Sequence, residues 1–589
     1  MDHLPLNETV VDRVERLIRD SYWKALTRRV DIQHLSRAVS DPKIHARCDY
    51  LYLAHEDREA WRHFKNCSTG MVDPVLHRPI CVEILPPSAQ INGDYIRSLD
   101  GAHGLLALKL ASNGHPGSLA GVPYLAPGGR FNELYYWDCY FLILGLLQDG
   151  LEHLALNLAE NLLHLVRYFG KVPNANRTYY LTRSQPPFLS SIIRAIWERG
   201  SLTRSWLAEA LGLCVREYKD VWLGSHRLVR IGPHELSRYY DEGDGPCPEV
   251  ESGHYDEKIL PWLRLAPPLE NGLPLTPYRF LKQFLYAGMH DRLQVDGMTL
   301  AQFFKHDRAA RESGHDTTHR FDDRTADFAT ADLNALLYKY ECDIAVLIER
   351  EFGGCLSCLG SNLSRAADWR DRAIRRKEAV QNLLWNPRLG YFFDYDHARN
   401  KRSDYISATG LYPLWAGMLD IQNPAEREQA RLASVFAFRH LEESAGLAAS
   451  ARKSVASSRA KDLRQWDYPH GWAPHQMMAW MALRQSGQDE VAGRLAYRWL
   501  HALALNAAKN NDALPEKLNV VNGSQDVFVE YGNVGTQFEQ VATEGFGWTN
   551  ASFKVGLGFL SSSQRRDLHQ LKSPPPLDFS PHPRSARRG

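Results

Sequence analysis

From Leu134 onward, apolar residues recur at three- and four-residue spacing over most of the chain. LYYWDCYFLILGLLQDG and LEHLALNLAENLLHLVRYFG read as two successive amphipathic helices, stopped by the glycines at 150 and 170. The same period returns in SIIRAIWERG, SWLAEALGLCVREYKDVWLG, ADLNALLYKYECDIAVLIEREFGG and DWRDRAIRRKEAVQNLLWN. It returns again in AEREQARLASVFAFRHLEES, HQMMAWMALRQSG and EVAGRLAYRWLHALALNAAKN. β-patterned runs are few, and GYFFDYD near 390 is the clearest, a short hairpin piece. Residues 1–95 are mixed and proline-punctuated, which predicts a few helices and extended pieces packed on a larger body. The stretch 96–562 predicts an all-α domain of helical hairpins repeated around an axis. A solenoid is the competing arrangement, but no self-similarity at a fixed period is visible. The loops are long and rich in Gly, Pro, Trp, Asp, Asn and Arg, as an active-site face of a closed barrel requires.

Two segments look dispensable. SAGLAASARKSVASSRAK (444–461) reads as a mobile loop or as a helix with a basic face. The stretch 563–589, proline- and arginine-rich from Ser573, reads as a disordered tail.

Composition narrows the function. Lys plus Arg is 70 and Asp plus Glu is 69, so no basic excess points to nucleic acid. No run of about 18 apolar residues predicts a membrane span, and the first residues lack the pattern of a secretory signal. The 9 cysteines have no framework spacing, which suggests thiols in a reducing, cytoplasmic compartment. Cys355 and Cys358 form a lone C-x-x-C without a second pair, so no metal site is expected there.

Polar and aromatic residues concentrate in five loops: PGGRFNELYYWDCY (127–140), PNANRTYYLTRSQPPF (173–188), SRYYDEGDGPCPEVESGHYD (237–256), RESGHDTTHRFDD (311–323), and a split set. The split set joins RQWDYPHGWAPHQ (464–476) to LPEKLNVVNGS (514–524) and EYGNVGTQFEQVATEGFGWTNAS (530–552). Glycoside hydrolysis needs such a set: one protonated carboxyl, one carboxylate that activates water or attacks, aromatic planes, and groups that hold hydroxyls. The Trp-Asp pairs at 137/138 and 466/467 offer a plane beside an acceptor. Each feature also has a plainer reading. A Trp-Asp pair is commonly core plus helix cap, Asp316 before two threonines fits a cap, and Glu516 beside Lys517 fits a surface ion pair. His315 and His319 have helical metal-ligand spacing, but the flanking glycine resists a helix and no HExxH glutamate is present.

PGGRFNELYYWDCYFLILGL and QWDYPHGWAPHQ closely resemble the two signature motifs of the trehalases, glycoside hydrolase family 37. The resemblance continues through NANRTYYLTRSQPPF, ADLN (331–334) and GFGWTNAS, covering roughly residues 120–555 in the family's order. ESGHDTTHRF, GPCPEVESGHYD and EYGNVGTQFEQVATEGFGW are similar to the neutral, cytosolic trehalases of fungi. Secreted bacterial members carry Trp and Arg where this chain has His315 and Cys247. No D-x-D-x-D loop precedes Pro127, so calcium control is not implied.

The resemblance implies an (α/α)6 barrel that hydrolyses trehalose with inversion, Asp316 as general acid and Glu516 as general base. It also implies sugar contacts from Arg130, Trp137, Asp138, Asn174, Arg183, Ser184, Gln185, Glu249, Arg311 and Gly314, with Glu539 on a closing loop. Asp316 would then need protonation at working pH, by burial or a like-charged neighbour. The two carboxyls would lie about 6.5–9.5 Å apart. No cofactor or metal is implied, and the partner is the small-molecule substrate. The alternatives are another α-glucoside on the same scaffold, a non-catalytic sugar-binding protein, or a helical scaffold with its loops on a flat face.

Overall fold

In the computed structural model the apolar run opening at Tyr136 becomes a helix buried on nearly every side, with only Leu144 and Gln148 outside the buried set. A helix apolar all round belongs inside a packed body, and this one lines the middle of the fold. The structure describes residues 8–41, 47–65, 71–74, 76–114, 118–250, 253–266, 276–287, 293–357, 363–458, 462–527 and 543–577.

In chain order the helices used below are α1 (Val10–Leu17), α2 (Tyr136–Gln148), α3 (Glu152–Phe169), α4 (Leu189–Trp197) and α5 (Arg204–Glu217). There follow α6 (Leu300–Glu312), α7 (Ala331–Phe352), α8 (Ala366–Leu383), α9 (Tyr412–Trp415) and α10 (Pro424–Leu441). The last four are α11 (Ala473–Gln485), α12 (Asp489–Lys509), α13 (Gly547–Leu557) and α14 (Ser562–His569). Helices α2, α4, α7, α9, α11 and α13 pack each on the next, and α13 returns to α2, so six inner helices close a ring. Outside it α3 packs on α2 and α4, α5 on α4, α8 on α7, and α12 on α11 and α13. This is the expected (α/α)6 arrangement. The closing seam depends on Gly145, where a Cβ would stand 2.8 Å from the Ala551 Cα.

Local chemistry sets the helix ends. Gly170 and Gly353 take left-handed conformations after α3 and α7, which an L side chain resists. Thr330 accepts from Leu333 N–H at the start of α7, and Thr299 forms a capping box with Gln302 at the start of α6.

The described part of residues 1–95 holds both helices and strands. Helix α1 packs on α12 and α14. A parallel sheet, β1 (Asp49–Leu53) between β2 (Ile80–Ile84) and β3 (Gly104–Leu106), runs across the boundary placed at 95. GYFFDYD divides between two small antiparallel pairings, Tyr391–Phe392 with Trp385–Asn386 and Tyr395–Asp396 with Lys401–Arg402.

Two expectations need correction. The first half of 444–461 is core: Ala445, Leu447, Ala448, Ala449 and Ala451 are buried, and Ala449 N–H donates to His470 O at 2.8 Å. Its small residues suit close packing, where composition had suggested mobility. A short helix, Arg452–Ser457, follows. The segment from 563 is likewise ordered at its start. A Ser561/Gln564 capping box opens α14, and Leu568 is fully buried. Tyr497 Oη then donates to Lys572 O at 2.7 Å, and Arg498 Nη2 to Pro575 O at 2.8 Å. The remainder, 578–589, lies outside the described residues.

Leu568→Ala should therefore lower stability by about 2–5 kcal/mol, the range for a fully buried leucine. Thermal unfolding of purified protein checks this, and an unchanged Tm would show that α14 does not belong to the framework.

Candidate active site

The loops at one end of the ring enclose a cavity of about 200 Å³. Arg130, Trp137, Asp138, Asn174, Arg183 and Gln185 line it. So do Glu249, Arg311, Gly314, Asp316 and Glu516. Ser184 does not line it. Its hydroxyl donates to Val172 O at 2.6 Å and its N–H to Glu312 Oε1 at 2.9 Å, so it anchors the loop rather than facing the cavity. Glu539 lies outside the described residues.

Trp137 and Asp138 stand in the first turn of α2, where backbone N–H groups lack helical partners. Gln185 Oε1 takes the Trp137 N–H at 3.1 Å, which ties the 173–188 loop to that helix end. Four tryptophans make the apolar wall. Trp466 stacks on Trp472 at 3.8 Å with 7° between planes. Trp137 leans on Trp466 at 5.5 Å, and Trp548 meets Trp137 edge-on at 5.9 Å. Gly314 is required here, because its φ is +75° and a Cβ would lie 3.0 Å from the Trp137 ring.

Arginines and carboxylates make the polar wall. Arg183, 2% exposed, pairs with Glu249 and stands 3.5 Å from Asp241 and 3.6 Å from Cys247 Sγ. Burial alone would raise the Glu249 carboxyl, but Arg183 and Arg311 outweigh it and hold it below its ordinary value. Burial pushes the Cys247 thiol up to about 12, so it stays protonated. Arg183 Nε and Glu249 Oε2 have no hydrogen-bond partner among the described residues. Arg311 closes the set: Asp307 accepts from its Nε at 3.1 Å, Asn174 Nδ2 donates to its carbonyl at 3.5 Å, and Nη1 stands 3.7 Å from Asp316 Oδ2.

Asp316 follows the end of α6, and its side chain is 33% exposed. Gln465 Nε2 donates to its carbonyl, and Trp466 N–H donates to Thr317 O at 3.1 Å. Glu516 precedes a strand, β5 (Lys517–Asn519), which pairs antiparallel with β4 (His470–Trp472). Its carbonyl accepts from Trp548 Nε1 at 3.0 Å. Its carboxylate lies 3.7 Å from Arg130 Nη2 and 3.4 Å from Lys517 Nζ. Two carboxylates on separate loops thus line one cavity.

The second Trp-Asp pair is different from the first. Asp467 accepts from Thr318 Oγ1 at 2.8 Å, His319 N–H at 2.6 Å and Tyr405 Oη at 2.6 Å, so it fastens the loop that carries Asp316. The two histidines also diverge. His315 Nδ1 donates to Ser313 O and its Nε2 meets His475 Nε2 at 3.1 Å, whereas His319 Nε2 meets Asp462 O at 2.9 Å. They do not converge as metal ligands. Burial, with Arg320, pulls the His315 imidazole down to about 4. Sequence reasoning missed Gln465, although its motif was in view. It also missed Ser40 and Asp41, which reach the cavity from the N-terminal segment without any local signal.

Asp138 is the outlier in charge. Burial pushes its carboxyl up to about 8, and the negative charges of Glu516 and Asp316 add to the effect.

A helical ring with two carboxylates, arginines and stacked tryptophans around one cavity has the equipment of a glycoside hydrolase. The family model described as Trehalase matches residues 1–561. A cytosolic neutral trehalase of Saccharomyces cerevisiae is 38% identical over 98% of this chain and 75% of its own length. A cytosolic neutral trehalase of Neurospora crassa is 37% identical over 97% of this chain and 76% of its own. The solved structure of neutral trehalase Nth1 from Saccharomyces cerevisiae superposes with a TM-score of 0.83 at 36% identity, over 96% of each chain. The chain belongs to the trehalase family.

The Asp138 shift has a measurable consequence. Its folded value lies above the unfolded one of about 3.9, so the native state binds the extra proton between roughly pH 4 and 8. Its contribution to stability therefore falls as pH rises through that window. Asp138→Asn lacks this contribution, so its Tm relative to the parent should climb from pH 4 to 8. A Tm difference that stays flat with pH would refute the assignment.

Proposed function

We propose that the chain is a cytosolic α,α-trehalase that hydrolyses trehalose to two glucose molecules with inversion. Asp316 protonates the bridging oxygen, and Glu516 takes a proton from the attacking water. The observation that carries this reading is the shared cavity. Asp316 and Glu516 come from loops far apart in sequence, yet both line it. Trehalose has no reducing end, so one glucose must be enclosed while the other is seated as leaving group. Arg183 and Glu249, which both line the cavity, offer donor and acceptor groups that sugar hydroxyls would engage. The tryptophans offer faces for the C–H surfaces. Arginines and tryptophans that wall a cavity support an enzyme over a flat-faced scaffold. Acid and base together provide both proton transfers, so the reaction calls for no cofactor.

Glu539 and the loop carrying it would close over the leaving-group side, as the family resemblance implies. Ser184 would act indirectly, by holding the loop that presents Arg183 and Gln185.

Asp316→Asn and Glu516→Gln should each lower kcat about 10²–10⁴-fold with an unchanged melting profile. Glucose release from trehalose measures this, and near-parental turnover by either variant would remove that residue from its role. Stereochemistry gives an independent check. Water activated opposite the scissile oxygen inverts the attacked carbon, so each trehalose should yield one β- and one α-glucose. Retention needs a second carboxylate about 5–5.5 Å from the first and yields α-glucose alone at early times. Proton NMR taken before mutarotation distinguishes the outcomes, and early α-glucose alone would overturn inversion.

A further inference from the structure

Lys517 follows the proposed base and is 1% exposed, which excludes the surface ion pair that its sequence allows. It begins β5, directly across from Trp472 of β4. Its ammonium lies 4.6 Å from the centre of the Trp472 ring, a cation–π position. From there Nζ reaches two acceptors, Gln465 Oε1 at 3.0 Å and Glu516 Oε2 at 3.4 Å. Gln465 uses its other amide end to donate to the Asp316 carbonyl, and its own carbonyl accepts from Trp472 Nε1 at 2.8 Å. A continuous path thus runs from the Glu516 carboxylate, through a buried ammonium and one amide, to the backbone of Asp316.

Burying an ammonium is unfavourable unless it is paired and hydrogen-bonded. The contacts of Lys517 with Gln465 and Glu516 meet that condition while holding the acid-bearing and base-bearing loops in one register. We propose that Lys517 is a positioning residue for hydrolysis: through Gln465 it fixes the acid loop relative to the base loop. The proposal rests on the acid and base roles argued above. Arg130 is the other cation near Glu516. Asp138 is an acidic neighbour of Glu516, and the His470 imidazole near Lys517 is pulled down to about 4 by burial and by Lys517.

Three variants test the tether. Lys517→Met removes it. Its kcat should fall about 10–100-fold, the scale of a small misplacement in a catalytic pair, with KM changed far less. Gln465→Met cuts the tether at its other end and leaves Lys517 in place, so kcat should again fall with KM changed far less. Lys517→Arg restores a buried donor to Gln465 and Glu516, so its kcat should recover above that of Lys517→Met. Tm and circular dichroism accompany each variant. If Lys517→Met does not fold, Lys517→Arg and Gln465→Met still decide the matter. Parental kcat in Lys517→Met would overturn the proposal, as would parental kcat in Gln465→Met. Glu516→Gln, run alongside, keeps the two readings apart. If it retains turnover, the base assignment itself fails. If it is inactive while Lys517→Met is unaffected, the positioning role alone fails.

Discussion

A guanidinium taken out of water must bring its counter-charge with it, and the loop end of this ring is organised by that constraint. Arg177, almost without exposure, donates to Glu133 at 2.8 Å and to the carbonyls of Val39 and Ser40. Arg227 binds Glu312 at 2.6 Å, Arg320 joins Asp332 and Asp394, and Arg376 joins Glu341. Apart from Arg320 with Asp332, these pairings cross between segments distant in sequence. Each also fixes a direction, because the planar fork accepts carboxylates only along its own edges. Glu312 shows the consequence. One buried carboxylate receives Arg227, Ser184 N–H and Tyr240 N–H, so three loops share a single anchor at the end of α6. Asp316 begins four residues later, and its place over the cavity is inherited from that anchor.

The same pairing divides structural charges from chemical ones. Arg183 and Arg311 both reach the cavity, yet each is also held from behind, by Asp241 and by Asp307. A cation fastened in this way can meet a ligand without rearranging, which is how a preorganised polar wall differs from solvent. Asp138 has no comparable arginine among its strongest influences, and its elevated carboxyl follows from that.

The helical half of this arrangement was readable from sequence because it depends on local period and local stop signals. Gly170 and Gly353 end helices for reasons confined to their own backbone. Ring order was not readable, since it arises from contacts such as Gly145 against Ala551 that no local window contains. The cavity-lining residues came through the family resemblance, motif by motif. The errors share one cause. Ser184 beside Arg183, and Asp467 beside Trp466, sit in the same motifs as cavity residues but face the other way, and a motif does not report facing. Composition misled at 444–451, where small residues signify tight packing against β4 and α11. It misled again past Ser561, where a capping box outweighs the prolines that follow.

Closure of the ring by α13 against α2 has a consequence for synthesis on the ribosome. The inner face of α2 stays without its final neighbour until Gly547–Leu557 has left the exit tunnel. The five earlier inner helices can pair as they emerge, but they form an open arc whose apolar edge faces water. Glu516 lies on the stretch just before the closing helix, and its carbonyl is gripped by Trp548 at that helix's first turn. The nascent chain therefore gains a complete core and a seated Glu516 in one late event, and until then it presents an apolar edge of the kind that chaperones engage.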